Sequence, residues 1–155
     1  MSWTDADRGF MAQAIELAKG RMGETWPNPA VGCVLVKDGR VIAQAATAPG
    51  GRPHAEEQAV PAAGAEVVGA TAYVTLEPCG ARSSGRKSCA HFLAEAGVAR
   101  VVVACLDPSP FAAGRGTERL RTAGLTVETG LLAEEAVVLC EGFLHRLETG
   151  RPLVR

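Results

Sequence analysis

Two short stretches of this chain bring metal-ligating and proton-transfer side chains together: Pro53-His54-Ala55-Glu56, and Glu77-Pro78-Cys79 followed after Gly80 to Ser88 by Cys89. Neither decides anything alone. A His and a Glu two apart at a helix start are commonly solvated, and a lone Cys near a strand end is commonly a small buried hydrophobe. Together they supply one imidazole and two thiols, an N/S/S set that suits Zn²⁺. Three protein ligands rather than four leave a coordination position for water, the pattern of a catalytic zinc. Two thiolates offset much of the ion's charge, so bound water would be less acidic than on an all-histidine site and needs a carboxylate to take its proton. Glu56 fits that role. Side chains two apart on a helix diverge by about 200°, which sets Glu56 behind the metal rather than beside His54 as a fellow ligand.

The elements around these residues can be read from periodicity. Apolar Phe10, Met11, Ala14, Ile15, Ala18 and Met22 recur at helical spacing over Asp5 to Met22, with Thr4 as the N-cap. Val31 to Lys37 and Val41 to Ala46 flank Asp38-Gly39, a pairing suited to a type I′ hairpin turn. His54 to Ala63 is predicted to be a short helix that tolerates Pro61 near its end. Strand character over Thr71 to Leu76, a helix over Cys89 to Ala96 closed by Gly97, and an apolar strand over Val101 to Leu106 follow. Thr117 to Ala123, Leu125 to Thr129 and Leu131 to Leu147 complete the order as helix, strand and amphipathic helix. Strands separated by helices need right-handed crossovers and lie parallel, so strands three, four and five form a parallel set joined to the opening hairpin. The expected architecture is an α/β fold, a three-layer α/β/α sandwich on a five-stranded mixed sheet, with the His and Cys residues at the edge where such sheets gather ligands. His54 and Cys89 each fall in the first turn of a helix, whose positive end favours a thiolate and an anionic ligand.

Composition narrows the partner. The chain has 155 residues, 47% apolar and 21% charged, which fits one globular domain with neither repeat nor linker. With 16 basic against 17 acidic side chains and 5% aromatics, neither counterion release nor base stacking favours nucleic acid, and no stretch is apolar enough to span a membrane. A small molecule is the expected partner. Asp5, Asp7 and Arg8 stand where an export signal would be basic and then apolar, so a cytoplasmic location is expected. Five cysteines without such a signal read as buried or metal-bound thiols rather than disulfides, with Cys33, Cys105 and Cys140 assigned to the core. His91 and His145 have no partner motif and read as structural. Trp26 and Pro27 either roof the pocket or simply pack.

His-x-Glu with Pro-Cys and a second Cys is the general signature of zinc nucleoside deaminases, except that nine residues rather than two separate the cysteines here. The stretches Asn28-Pro29-Ala30-Val31-Gly32-Cys33-Val34, Gly51-Arg52-Pro53-His54-Ala55-Glu56, Gly69-Ala70-Thr71-Ala72-Tyr73-Val74-Thr75-Leu76-Glu77-Pro78-Cys79 and Ala96-Gly97-Val98-Ala99-Arg100-Val101 resemble the deaminase domain of the bacterial riboflavin-biosynthesis deaminase/reductase, over nearly the whole chain. The resemblance implies a cytidine deaminase-like fold, zinc held by His54, Cys79 and Cys89, a proton shuttle at Glu56 and a pyrimidine contact at Asn28. It implies hydrolytic loss of the 2-amino group from 2,5-diamino-6-ribosylamino-4(3H)-pyrimidinone 5′-phosphate. It also implies a dimer or tetramer, and residues 1–155 as a single zinc-dependent deaminase domain with the reductase half absent.

The inserted loop carries Arg82, Arg86 and Lys87 and no acid, which by charge assigns these residues to a substrate phosphate; a solvated basic loop is the alternative. This stretch departs from the family pattern, which has a histidine two residues after the first cysteine and a Thr-Pro-Pro-Cys end with eight residues between the cysteines. Many members also carry a histidine where this chain has Thr47. Two other functions therefore stand beside the first: deamination of another 2-aminopyrimidine, pterin or purine, and a non-catalytic zinc-binding interaction module.

Overall fold

The computed structural model describes residues 3–26, 28–80, 88–107 and 113–149, with side chains described up to Glu141. Helix α1 (Asp5–Lys19) opens on a capping box in which the Thr4 hydroxyl accepts from Asp7 N and the Asp7 carboxylate accepts from Thr4 N. It stops at Gly20, short of the expected Met22, at a residue that disfavours helix by about 1 kcal/mol. Strands β1 (Gly32–Lys37) and β2 (Arg40–Ala46) form the expected hairpin, with positive φ at both Asp38 and Gly39. A register shift between Leu35 and Val36 interrupts their ladder.

Helix α2 (Ala55–Ala63), strand β3 (Thr71–Leu76), helix α3 (Cys89–Ala96), strand β4 (Arg100–Cys105), helix α4 (Arg115–Thr122), strand β5 (Thr126–Thr129) and helix α5 (Ala133–Thr149) follow in the expected order. Gly97 closes α3 in the left-handed conformation at φ 92°. The start of α5 moves from Leu131 to Ala133, because Leu132 has φ 55° and cannot be helical.

The sheet runs β2-β1-β3-β4-β5. β1 pairs antiparallel with both β2 and β3, whereas β3, β4 and β5 are mutually parallel neighbours. Alternate strand residues supply two cores. Cys33, Leu35, Ala72, Val74, Val101 and Val103 face α2, α3 and α4 through Ala59, Ala90, Leu93 and Leu120. Val34, Val36, Tyr73, Val102 and Ala104 face α1 and α5 through Met11, Ala14, Ile15 and Leu139. Helices on both faces make three layers, and β4, whose Val101 to Val103 are fully buried, needs apolar residues on both sides.

On the α1 face a polar network crosses the sheet. The Tyr73 hydroxyl donates to Asp7 Oδ1 at 2.6 Å, and Arg100 reaches Asp7 Oδ1 at 3.1 Å and Glu128 Oε1 at 2.5 Å. One carboxylate from α1 is thereby tied to β3 and β4, and through Arg100 to β5. Close packing of α1 on β1 leaves no room at Gly32, where a Cβ would lie 1.9 Å from the Ala14 carbonyl oxygen.

Candidate metal centre and pocket

The C-terminal ends of the parallel strands and the N-terminal ends of α2 and α3 meet on one side of the sheet. His54 is the N-cap of α2 with extended backbone (φ −68°, ψ 162°), and its N–H donates to Glu57 Oε1 at 3.0 Å. Just before it, the Arg52–Pro53 peptide bond is cis. Cys89 is the first residue of α3, behind the Ser88 N-cap whose hydroxyl accepts from His91 N at 3.1 Å. Cys79 lies three residues beyond β3 and is held against α3: its Sγ accepts from Cys89 N at 3.1 Å, and its carbonyl accepts from Ala90 N at 3.1 Å.

These placements bring three donors together. His54 Nδ1 lies 3.2 Å from Cys89 Sγ, and one ligand atom from each of His54, Cys79 and Cys89 lies within 4.8 Å of the others. Nitrogen and sulfur donors around a tetrahedral Zn²⁺ sit about 3.5 to 3.8 Å apart by the usual bond lengths, so this set fits the ion with small adjustments. Among the described residues no other group of His, Cys, Asp and Glu converges this way. Cys33 and Cys140 are buried and Cys105 half-buried, and none of the five cysteines is in a disulfide.

Glu56, only 3% exposed, lines the same pocket of about 130 Å³ as His54, Cys79 and Cys89. The divergence of about 200° assumed that both residues were helical. His54 precedes the helix in extended conformation, which lets both side chains face one cavity. Burial pushes the Glu56 carboxyl up, the charges of Cys79 and Glu57 add to this, and its own backbone N–H and His54 oppose it. A carboxyl poised between its two protonation states is suited to accept and return a proton.

The rest of the wall comes from Asn28, Pro29, Val31, Thr47, Leu76, Glu77 and Asp107. Asn28 Nδ2 donates to the Gly51 carbonyl at 2.7 Å, and Asn28 is further held by Thr25, whose hydroxyl donates to the Asn28 carbonyl at 2.8 Å. A Cβ at Gly51 would lie 2.4 Å from the Thr25 carbonyl oxygen, so the two loops interlock only with glycine there. The buried Thr47 hydroxyl accepts from Val31 N at 3.0 Å, and the Thr75 hydroxyl accepts from Gly32 N at 3.0 Å, which satisfies the backbone entering β1. Thr47 thus holds the Asn28 loop, a task its position in the sequence did not announce.

Arg82, Arg86 and Lys87, with the loop that carries them, lie outside the described residues, as does Pro27. Trp26 is 38% exposed and is not part of the pocket wall. His91 sits on α3 with Nε2 3.8 Å from Glu95, and the side chain of His145 lies outside the described set. Glu77 and Asp107 were not singled out as site residues by the motif. The carboxylate beside Pro78-Cys79 was the signal for the first, and nothing local marked the second.

A family model, the cytidine and deoxycytidylate deaminase zinc-binding region, matches residues 4–105, a span that contains His54, Glu56, Cys79 and Cys89. The chain belongs to this family. Its fold is that of the cytidine deaminase-like proteins, this is a zinc-binding family, and the His54, Cys79 and Cys89 cluster is a donor set suited to zinc. Among curated relatives, the riboflavin biosynthesis protein RibD of Escherichia coli (strain K12) is 47% identical over 149 residues, covering 96% of this chain and 40% of that protein. Among solved structures, Acinetobacter baumannii RibD aligns with a TM-score of 0.87 at 49% identity, covering 97% of this chain and 42% of that one. A Thermotoga maritima diaminohydroxyphosphoribosylaminopyrimidine deaminase/5-amino-6-(5-phosphoribosylamino)uracil reductase aligns with a TM-score of 0.86 at 41% identity, covering 96% of this chain and 43% of that one. The chain spans about two fifths of the length of the curated relatives it matches. Among the described residues, no helix is long and apolar enough to cross a membrane.

Proposed function

We propose that this chain hydrolytically removes the 2-amino group of 2,5-diamino-6-ribosylamino-4(3H)-pyrimidinone 5′-phosphate in riboflavin biosynthesis. The observation that carries the proposal is the convergence of His54, Cys79 and Cys89 donors within 4.8 Å at a pocket that also holds buried Glu56. The choice of substrate is supported by the RibD relatives together with the Thermotoga maritima protein named as a diaminohydroxyphosphoribosylaminopyrimidine deaminase. When bound by these three residues, zinc supplies a Lewis acid that makes water a nucleophile at neutral pH.

Glu56 then does the proton work. Its carboxylate takes the proton of the attacking water and gives it to a ring nitrogen as C2 becomes tetrahedral; it then takes the proton of the new C2 hydroxyl and delivers it to the amine, which leaves as ammonia as the C2 carbonyl forms. Asn28 orients the ring: its Nδ2 commits one hydrogen to the Gly51 carbonyl, which fixes the amide plane and leaves Oδ1 to accept from a substrate N–H. Arg82, Arg86 and Lys87 hold the phosphate, each as a charge-assisted donor. The substrate is a small molecule rather than a nucleic acid, and the chain works in the cytoplasm as a dimer or tetramer.

Ammonia release from zinc-loaded protein, measured across phosphorylated and unphosphorylated aminopyrimidines, pterins and purines, tests the assignment. Turnover confined to the riboflavin precursor is the expected result. Turnover of a pterin or purine instead would make this a paralogue with a rewritten substrate loop, and zinc binding without ammonia from any of them would leave an interaction module.

A further inference from the structure

Glu77 directly follows β3, and its N–H donates to the Cys105 carbonyl at 2.8 Å, one step past the Leu76–Cys105 pair of the β3–β4 ladder. Its side chain is 4% exposed, an expensive place for a carboxylate unless its oxygens are satisfied. They are satisfied by backbone. Oε1 accepts from Asp107 N at 3.1 Å and from Gly114 N at 2.9 Å, and Oε2 accepts from Thr117 N at 2.8 Å. Thr117 N is one of the amides left unpaired at a helix N-terminus, and Gly114, the N-cap residue of α4, has no side chain to accept from it. The acceptor therefore comes from the strand that leads to Cys79.

Two close approaches fasten the same segments. A Cβ at Gly116 would lie 1.7 Å from the Pro78 carbonyl oxygen, and one at Gly80 would lie 3.0 Å from the backbone of Arg115 and Gly116. Residues 77–80 are thus pressed onto the start of α4 on both sides of Cys79, while Asp107 at the pocket wall is hung from Glu77 by its own N–H.

We propose that Glu77 is a positioning residue: by clamping the Pro78-Cys79-Gly80 segment to α4 and the β4–α4 connection, it fixes the Cys79 thiolate relative to His54 and Cys89 and holds Asp107 at the pocket wall. This rests on the zinc-dependent assignment of the site. A local cap at position 114 would stabilise α4 equally well but would leave the metal loop untied, which is why the long-range arrangement bears on the metal rather than on the helix alone.

The test is Glu77→Gln in the full chain. Gln keeps the shape but turns one acceptor oxygen into an NH₂ that faces a backbone N–H. The Zn²⁺ dissociation constant, read by competition with a chromophoric chelator, is expected to rise about tenfold, the scale of losses for groups that orient metal ligands. The thiolate-to-metal band of the Co²⁺-substituted protein is expected to shift. A lower Tm with unchanged affinity and an unchanged Co²⁺ spectrum would make Glu77 a helix cap only and overturn the proposal. Should Glu77→Gln not fold, Gly80→Ala presses on the same segment more mildly; weaker metal binding is the expected result and unchanged binding overturns it. These readouts need no substrate, so a wild type that binds metal but releases no ammonia removes the functional assignment alone.

Discussion

His54 Nδ1 stands 3.2 Å from Cys89 Sγ, joining the N-cap of α2 to the first residue of α3 across a separation of 35 residues. Replacing either, as His54→Ala or Cys89→Ser, leaves two strong donors and is expected to abolish stoichiometric zinc, measured by elemental analysis. In the unaltered chain, the metal binds the folded form and stabilises it by about 4 kcal/mol when present at a thousand times its dissociation constant. Chelation should lower Tm accordingly, and re-addition of zinc should restore it.

Glu56→Gln preserves volume and removes the proton acceptor. Zinc content is expected to stay at one per chain while kcat/KM falls about 10²- to 10⁴-fold, the usual contribution of a general acid-base group. Retained turnover in the fully loaded variant would exclude Glu56 as the shuttle.

Replacing Arg82, Arg86 and Lys87 together by Ala is expected to raise KM for a 5′-phosphorylated substrate about 10- to 100-fold, the loss of one or two charge-assisted hydrogen bonds. KM for the corresponding unphosphorylated nucleoside should stay the same. Parallel changes in both would show that the loop acts on the fold of the pocket rather than on the phosphate.

Asp7 gives a stability prediction with a defined pH sign. Burial alone would push its carboxyl up, but hydrogen bonds from the Tyr73 hydroxyl, Arg100 and Thr4 outweigh that and hold it well below the usual carboxylate range. Its contribution is therefore complete above its ordinary value of 3.8 and is lost as pH falls through the depressed one. Asp7→Asn is expected to cost about 1 to 3 kcal/mol near pH 7, with the difference from wild type shrinking below about pH 4. Urea midpoints of both proteins across this range measure it, and a difference independent of pH would refute the assignment. At the alkaline end, burial and the Asp7 carboxylate push the Tyr73 hydroxyl up to about 12, so its contribution is complete below 10.0 and fades above it.

The element order and the metal donors were legible because each has a local cause. Thr4 capped α1, Asp38-Gly39 turned the hairpin, Gly97 ended α3, and His54, Cys79 and Cys89 announced themselves by type and spacing. What stayed hidden depends on contacts between distant segments. The start of α4 was placed at Thr117 rather than Arg115 because its cap is a carboxylate 40 residues earlier in the chain. Asp107, a pocket-wall residue, is tied by its N–H to Glu77, 30 residues earlier in the chain. The offset between His54 and Glu56 was not legible either, because a helical divergence counts His54 as part of α2, whereas the helix begins one residue later at Ala55.

The parallel pairing of β3 with β4 has a consequence for the order in which the molecule is built. Every candidate metal donor lies at or before Cys89 in the chain, yet the three amides that receive the Glu77 carboxylate belong to residues 107–117, beyond the crossover through α3. A nascent chain paused after Gly97 holds all the donors but has nothing to seat that carboxylate. Seating of that carboxylate waits until residues 107–117 have been made and the fourth strand has docked.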